Sequence, residues 1–184
     1  MQVRLLSELD AGLEEIRRSP AVAGELRLIV RRPASDRREL LETAELDVES
    51  GLVGDSWLAR GSKATDDGSA DPEAQVTLMN ARLAALIAGP PDDWAIAGDQ
   101  LYVDFDIGVE NLPAGSRLTI GEATLEVSAT PHTGCAKFSG RFGLDALKFV
   151  STPVGRALRL RGVNTRVVRG GTIRLGDKVG KIAP

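Results

Sequence analysis

The chain has 184 residues, 42% of them hydrophobic, which is enough to form one sizeable core in a single domain. Its one cysteine excludes an internal disulfide and a four-cysteine zinc or iron–sulfur site built within this chain. No stretch has the roughly 20 apolar residues of a membrane span, and residues 1–8 lack the apolar core of a signal peptide, so we expect a cytoplasmic protein without membrane association.

The charges are unevenly distributed along the chain. From Pro131 onward there are 11 Lys and Arg residues and two acidic residues, which leaves 12 basic and 24 acidic residues before that point. This asymmetry is compatible with an anionic ligand, with nucleic acid, or with two charge-complementary halves of one domain. We do not expect a nucleic-acid partner, because no nucleic-acid-binding motif occurs, aromatic residues make up only 4%, and the net charge is −3.

The first third of the chain predicts two helices around a strand. Residues 7–19 have apolar positions on one helical face, with Ser7 as a candidate N-cap and Pro20 as the end. Residues 24–31 alternate between apolar and polar side chains, which predicts a strand. Residues 38–49 fit neither period cleanly, and we predict a helix there.

The rest of the chain predicts short strands separated by glycine-rich turns. Asn80 is a candidate cap for a helix over residues 81–88, Gly121-Glu122 predicts a hairpin turn, and residues 143–149 predict a short helix. The predicted strands cover residues 75–79, 101–103, 117–120, 123–129, 164–169 and 172–175. Many short strands with two or three helices favour a mostly β fold, a β-barrel with helical additions.

The segment 130–143 contains the only cysteine and the only histidine, Cys135 and His132. It follows a predicted strand, so the thiol is expected in a loop, where functional side chains are commonly displayed. The cations Lys137 and Arg141 would favour the reactive thiolate form. The alternative is a buried cysteine that acts as a small hydrophobe, and local sequence leaves both interpretations open. A single histidine cannot form a His-based metal site, so we interpret His132 as supporting the loop rather than as half of a Cys–His pair.

The C-terminal third also carries a set of arginines that are suited to binding phosphate. They are Arg156, Arg159, Arg161, Arg166, Arg169 and Arg174. An ordinary solvated face is the alternative. Because side chains alternate along a strand, Arg166 and Arg169 face opposite sides, and we expect two or three of the set to reach one ligand.

Five motifs follow one another in an order that resembles the MOSC family, named after the C-terminal domain of molybdenum cofactor sulfurase. They are Gly51-Leu52-Val53-Gly54-Asp55, Val76-Thr77-Leu78, Glu110-Asn111-Leu112-Pro113 with the segment 115–121, Gly134-Cys135-Ala136-Lys137-Phe138, and the closing segment from Leu160-Arg161-Gly162-Val163 to Gly176-Asp177. The resemblance extends from about Gly51 to the end. It implies a single MOSC-like domain over residues 1–184, with the first 50 or so residues less clearly matched.

The resemblance implies a MOSC-type β-barrel in which Cys135 is the key functional residue. In one branch of the family this cysteine handles sulfur for the molybdenum cofactor, a pyranopterin. In another branch it ligates molybdenum, and the enzyme reduces N-hydroxylated substrates. The anionic phosphate of the pterin would account for a basic segment, which makes Lys137, Arg141, Arg159, Arg161 and Arg169 candidate cofactor contacts.

Two positions depart from the family pattern. Members with reductase activity often carry a basic residue directly after the Gly-Asp pair and a proline directly before the cysteine, where this chain has Ser56 and Gly134. Arg60 is a candidate replacement for the missing basic residue.

Three functional hypotheses follow from the resemblance. The leading one is a molybdenum-dependent oxidoreductase with Cys135 as the metal ligand and a separate reductase as the electron donor. The second is a sulfur carrier in which Cys135 accepts a persulfide from a cysteine desulfurase, and pyridoxal phosphate belongs only to that partner. The third is a barrel that has lost its chemistry and serves in protein interaction.

Overall fold

The computed structural model describes residues 3–182, which form a β-barrel with helices packed against its outside. The helices are α1 (Leu6–Ala11), α2 (Leu13–Arg17), α3 (Trp57–Arg60), α4 (Ala81–Ala88), α5 (Ala136–Phe142), α6 (Leu144–Ser151) and α7 (Pro153–Ala157). The strands are β1 (Ala23–Arg31), β2 (Glu39–Leu41), β3 (Thr43–Asp47), β4 (Gly51–Leu52), β5 (Val76–Asn80), β6 (Leu101–Asp104), β7 (Arg117–Ile120), β8 (Ala123–Val127), β9 (Val163–Arg169), β10 (Gly171–Arg174) and β11 (Lys178–Lys181). Short 3₁₀ helices occupy Pro72–Ala74 and Pro91–Ala97.

Seven strands close the barrel in the order β11, β7, β8, β9, β5, β6, β1, because β1 pairs with both β6 and β11. Among the strands of residues 3–182, only the pair β5 and β6 is parallel, and α4 with the second 3₁₀ helix forms the crossover that a parallel pair requires. β2 extends the sheet beyond β1, while β3 lies between β10 and β4 in a separate small sheet. The predicted β-barrel fold is confirmed.

Strand β5 separates two hydrophobic cores and is buried along its whole length. Val76 and Leu78 point into the barrel core, whereas Met79 contributes to a second core between the barrel and the helices. At the end of the strand, Asn80 Oδ1 accepts hydrogen bonds from the backbone N–H groups of Arg82 and Leu83, which caps α4 as predicted.

The second core anchors α5, the helix that follows Cys135. Phe138 and Phe142 are one helical turn apart, are 1% and 2% exposed, and have ring centroids 5.0 Å apart. Burying two phenylalanines contributes about 3–6 kcal/mol by area. The position of Cys135 is therefore set by aromatic packing directly after it.

Most of the predicted elements are confirmed, and three local predictions were wrong. Residues 38–49 form β2 and β3 rather than a helix, because β3 pairs with the distant β10 and buries Leu46 in the barrel core. The first helix begins at Leu6, so Ser7 is not its N-cap. Residues 136–142 form α5, where the sequence analysis had placed a loop.

Candidate functional site

Cys135 lies at the junction between the barrel and the helical layer. The chain leaves β8, runs through the loop 128–134, and enters α5 with Cys135 as its N-cap residue. The backbone carbonyl of Cys135 accepts a hydrogen bond from Ser139 N at 3.1 Å. Cys135 is exposed, which excludes the alternative of a buried core cysteine.

His132 holds the loop before the cysteine in place. His132 Nδ1 lies 2.8 Å from Asn164 Oδ1, and Asn164 Nδ2 donates to Thr130 O at 3.1 Å, so the amide oxygen of Asn164 accepts from the ring N–H. Burial, together with the charge of Arg161, lowers the pKa of His132 and keeps the ring neutral at pH 7. These contacts agree with the predicted loop-supporting role, and no hydrogen bond links His132 to Cys135 among residues 3–182.

Gly134 allows the loop to pack closely against α6. A Cβ atom at this position would overlap the Leu147 side chain. The Leu147 side chain would have to shift to admit a larger residue at position 134, so the glycine permits this close contact with α6.

A cavity of about 200 Å³ opens beside Cys135, and cations dominate its wall. We call it the cysteine cavity. Its basic residues are Arg32, Arg38, Arg60, Lys137, Arg141 and Arg161. Asp36 is the single acidic residue among those that line it. Such an excess of positive charge in a concave site favours an anionic ligand.

Two of the six cations are neutralised by buried carboxylates. Arg32 forms a bidentate pair with Asp55, with both N–O distances at 2.9 Å, and donates to Gly98 O at 2.8 Å. Arg161 Nη1 donates to Asp99 Oδ2 at 2.7 Å. Because their charges are compensated and their geometry is fixed, Arg32 and Arg161 form the rigid floor of the site.

Three other cations have no carboxylate within ion-pair distance in the described part of the chain: Arg38, Arg60 and Lys137. Desolvation lowers the pKa of Arg38 and Arg60, and the neighbouring Arg32 lowers both further. Arg141 is intermediate, since it donates to a backbone carbonyl at 2.8 Å and lies 3.6 Å from the exposed Asp36. The cysteine cavity thus holds charge that the protein itself does not compensate.

Two buried guanidinium nitrogens at the cavity also lack hydrogen-bond partners among residues 3–182: Arg38 Nε and Arg161 Nε. Unsatisfied buried donors are rare in folded proteins and cost about 1–3 kcal/mol each. The Arg161 guanidinium carbon is also 5.0 Å from the centroid of the Phe138 ring. Arg161 therefore contacts one of the two phenylalanines that anchor α5.

Comparison with protein-family models decides the family. The model of the MOSC domain matches residues 69–180, which is more than half of the chain. This chain belongs to the MOSC family. The family is associated with molybdenum-cofactor binding and sulfurase-like function. A search of curated protein sequences gave no match.

Solved structures share the MOSC fold at low sequence identity. The YuaD protein from Bacillus subtilis gives a TM-score of 0.62 at 16% identity and covers 85% of this chain and 94% of its own. YiiM from Escherichia coli gives a TM-score of 0.56 at 16% identity and covers 87% of this chain and 70% of its own. YiiM from Geobacillus stearothermophilus gives a TM-score of 0.54 at 13% identity and covers 89% of this chain and 75% of its own. These likenesses show the fold alone. In addition, none of the helices among residues 3–182 has the length and apolar character needed to span a bilayer.

The MOSC match and the cysteine cavity only partly coincide. Cys135, Lys137, Arg141 and Arg161 lie inside the matched span, whereas Arg32, Arg38 and Arg60 lie before residue 69. Half of the basic residues in the cavity therefore come from the part of the chain outside the family match. Arg60, the predicted replacement for a basic residue after Gly-Asp, lines the cavity together with Ser56.

The structure groups four of the six predicted site residues and separates two. Cys135, Lys137, Arg141 and Arg161 all line the cysteine cavity. Arg159 lines a different cavity and hydrogen-bonds to the carbonyls of Ile107 and Leu112. Arg169 is exposed near the end of β9 and lines neither cavity, because the barrel carries that end of the strand away from the cysteine loop.

Sequence reasoning missed Arg32 and Arg38 altogether. Arg32 follows β1, and Arg38 precedes β2 in a segment that was predicted to be helical. The pairing of β1 with β2 brings the two arginines to the cavity. No local pattern indicates this placement, since it depends on the sheet.

The donor set of the cysteine cavity fits the cofactor associated with MOSC proteins. A thiol suits a soft metal centre, and the uncompensated cations suit a phosphate. No three His, Cys, Asp or Glu side chains of residues 3–182 form a metal site on their own. At about 200 Å³ the cysteine cavity is smaller than typical small-molecule sites of about 300–1,000 Å³, so the fit rests on its donor set.

Proposed function

We propose that this protein binds the molybdenum cofactor at the cysteine cavity and acts as an oxidoreductase on N-hydroxylated or related small molecules, with Cys135 as the molybdenum ligand. One observation carries the proposal: the exposed Cys135 shares a cavity with three cations that lack carboxylate partners. Family membership supplies the cofactor class, and the cavity supplies the donor set suited to it.

The residues divide into three roles. Cys135 would hold the metal through its thiolate. Arg38, Arg60 and Lys137 would bind the phosphate, because their charge is uncompensated. Arg141 and Arg161 would keep the wall in position.

When bound, the cofactor supplies two-electron redox chemistry that no side chain of this protein offers. Reduction of an N-hydroxylated amine to the amine and water consumes two electrons and two protons. A separate reductase would supply the electrons.

The test is reduction of N-hydroxybenzamidine by cofactor-loaded protein with a reduced viologen as the electron donor. Cys135→Ser should lower the rate by more than 100-fold, because even changes in the second shell of a metal site lower affinity or activity by about 10- to 100-fold. Arg169→Gln is the matched control and should retain the wild-type rate. Equal rates for Cys135→Ser and wild type would refute the role of the cysteine.

A sulfur-carrier role is the second candidate, and the exposure of Cys135 favours it because a partner protein can reach the thiol. The Cys135 thiolate would attack the terminal sulfur of a desulfurase persulfide, which forms the Cys135 persulfide and releases the desulfurase thiolate. Mass spectrometry after incubation with a pyridoxal-phosphate-dependent cysteine desulfurase should show one added sulfur atom on Cys135. Absence of this mass increase would exclude the carrier role.

A further inference from the structure

A second cavity, of about 370 Å³, lies on the other side of the cysteine loop. We call it the arginine cavity. It is lined by residues 128–134, by Val150 and Ser151 at the end of α6, and by residues of the segment 155–163. Its volume falls within the range of about 300–1,000 Å³ that is typical of small-molecule sites. Cys135 does not line it.

Three arginines line the arginine cavity: Arg156, Arg159 and Arg161. No Asp or Glu is among the described residues that line it. Arg156 Nη1 donates to Ser151 O at 2.6 Å, and Arg159 Nη1 donates to Leu112 O at 2.6 Å. These acceptors are neutral carbonyls, so they orient the guanidinium groups without compensating their charge.

The backbone at Arg159 is held in an unusual conformation. Its φ is +47°, in the left-handed region that side chains other than glycine seldom adopt. The turn is closed by Leu160 N to Gly155 O at 2.8 Å and by Gly162 N to Arg159 O at 2.7 Å. Such conformations occur preferentially at active sites and ligand-binding sites. Arg159 and Arg161 belong to this turn, and both line the cavity.

The remaining surface of the arginine cavity is mainly apolar. Val109, Val150, Val163 and Pro131 contribute to its walls. Guanidinium groups beside an apolar chamber suit a ligand that has an anionic head group and an apolar body. The head group would pair with arginine, and the body would displace water from the apolar walls. A bare inorganic ion would leave the apolar walls unused.

We propose that the arginine cavity is a second ligand site, distinct from the cysteine cavity, for a small molecule that carries an oxyanion head group on an apolar body. Arg156 and Arg159 bind the head group, which is a carboxylate or a phosphate monoester. The valine walls enclose the body. This assignment stands independently of the cofactor proposal, because it uses no residue of the cysteine cavity except the shared Arg161.

Isothermal titration calorimetry with three probes tests the assignment: 2-naphthoate, 2-naphthyl phosphate and the neutral 2-naphthamide. At least one anion should bind saturably and at least about tenfold more tightly than the amide, because charge-assisted hydrogen bonds contribute about 1.5–3 kcal/mol. The stronger of the two anions identifies the head group. Failure of both anions to bind at millimolar concentration would overturn the proposal.

Three variants locate the binding. Arg156→Gln removes an exposed charge and should weaken anion binding by about tenfold. Val109→Trp, at a position 47% exposed on the rim, fills the chamber and should abolish binding. Arg60→Gln, in the cysteine cavity, should leave the affinity unchanged. Loss of affinity in Arg60→Gln but not in Arg156→Gln or Val109→Trp would place the probe in the cysteine cavity and overturn the proposal. Far-ultraviolet circular dichroism checks that each variant is folded.

Discussion

The two cavities share the cysteine loop and Arg161 but differ in how their charges are used. In the cysteine cavity, six cations line the same cavity as one exposed thiol, and two of them are already paired with buried carboxylates. In the arginine cavity, fewer cations stand beside a larger, mainly apolar chamber, and no thiol is present. Positive charge alone therefore does not define the cofactor site. The distinguishing feature is uncompensated charge next to Cys135.

The largest effect on stability is expected from Phe138, which lines the cysteine cavity and does not line the arginine cavity. Phe138→Ala should lower the free energy of unfolding by about 3–5 kcal/mol, because it leaves a hole in the second core and removes the ring beneath Arg161. Urea denaturation measures the change. A loss below 1 kcal/mol would show that α5 is held by other contacts.

Removal of an uncompensated charge should have opposite effects on stability and on binding. Arg38→Met should raise the free energy of unfolding by about 0.5–2 kcal/mol, since it removes a partly buried guanidinium that has no carboxylate partner and whose Nε makes no hydrogen bond among residues 3–182. The same variant should bind pyrophosphate, a probe for the phosphate group, about tenfold more weakly in calorimetry.

Arg32, which is paired with Asp55, is the matched comparison for Arg38. Arg32→Met should lower stability, because it leaves the buried carboxylate of Asp55 without its partner. If both variants changed stability in the same direction, the distinction between compensated and uncompensated cations would fail.

The smallest effect concerns His132, in the loop between the two cavities. Its pKa is lowered by burial and by Arg161 from the ordinary value of 6.5. Below pH 6.5 the unfolded chain therefore takes up a proton that the folded chain does not. The contribution of His132 to the free energy of unfolding consequently falls as the pH decreases. The stability advantage of wild type over His132→Gln should shrink between pH 7.5 and pH 5.

The chain has one histidine, so an NMR titration of its ring protons reports this group alone. The titration should give a pKa below 6.5. A value above 6.5 would mean that Asp99, 3.6 Å from Nε2, outweighs desolvation.

The sequence was informative where local patterns decide structure. The hairpin at Gly121-Glu122 and the Asn80 cap could both be predicted, because each depends on neighbouring residues, whereas local sequence left the exposure of Cys135 open. Lys137 and Arg141 were found because they closely follow Cys135 in the sequence, and both lie in α5.

Residues brought together by the barrel could not be predicted. Arg38 was placed in a helix because the segment 38–49 lacks a clear period, and its strands form only through pairing with β1 and β10. Arg159 and Arg169 were grouped with Cys135 by charge alone, and the turn at Arg159 and the length of β9 separate them from it. Asp99 gave no indication of its role, since its partners Arg161 and His132 lie far along the chain.

Molybdenum content is the measurement that tests the central claim most directly. Protein purified from a host that makes the cofactor should contain molybdenum in stoichiometric amount by inductively coupled plasma mass spectrometry. Cys135→Ser should contain almost none, and Arg169→Gln should match the wild type. Wild-type protein without molybdenum, or full molybdenum content in Cys135→Ser, would contradict the assignment of Cys135 as the metal ligand.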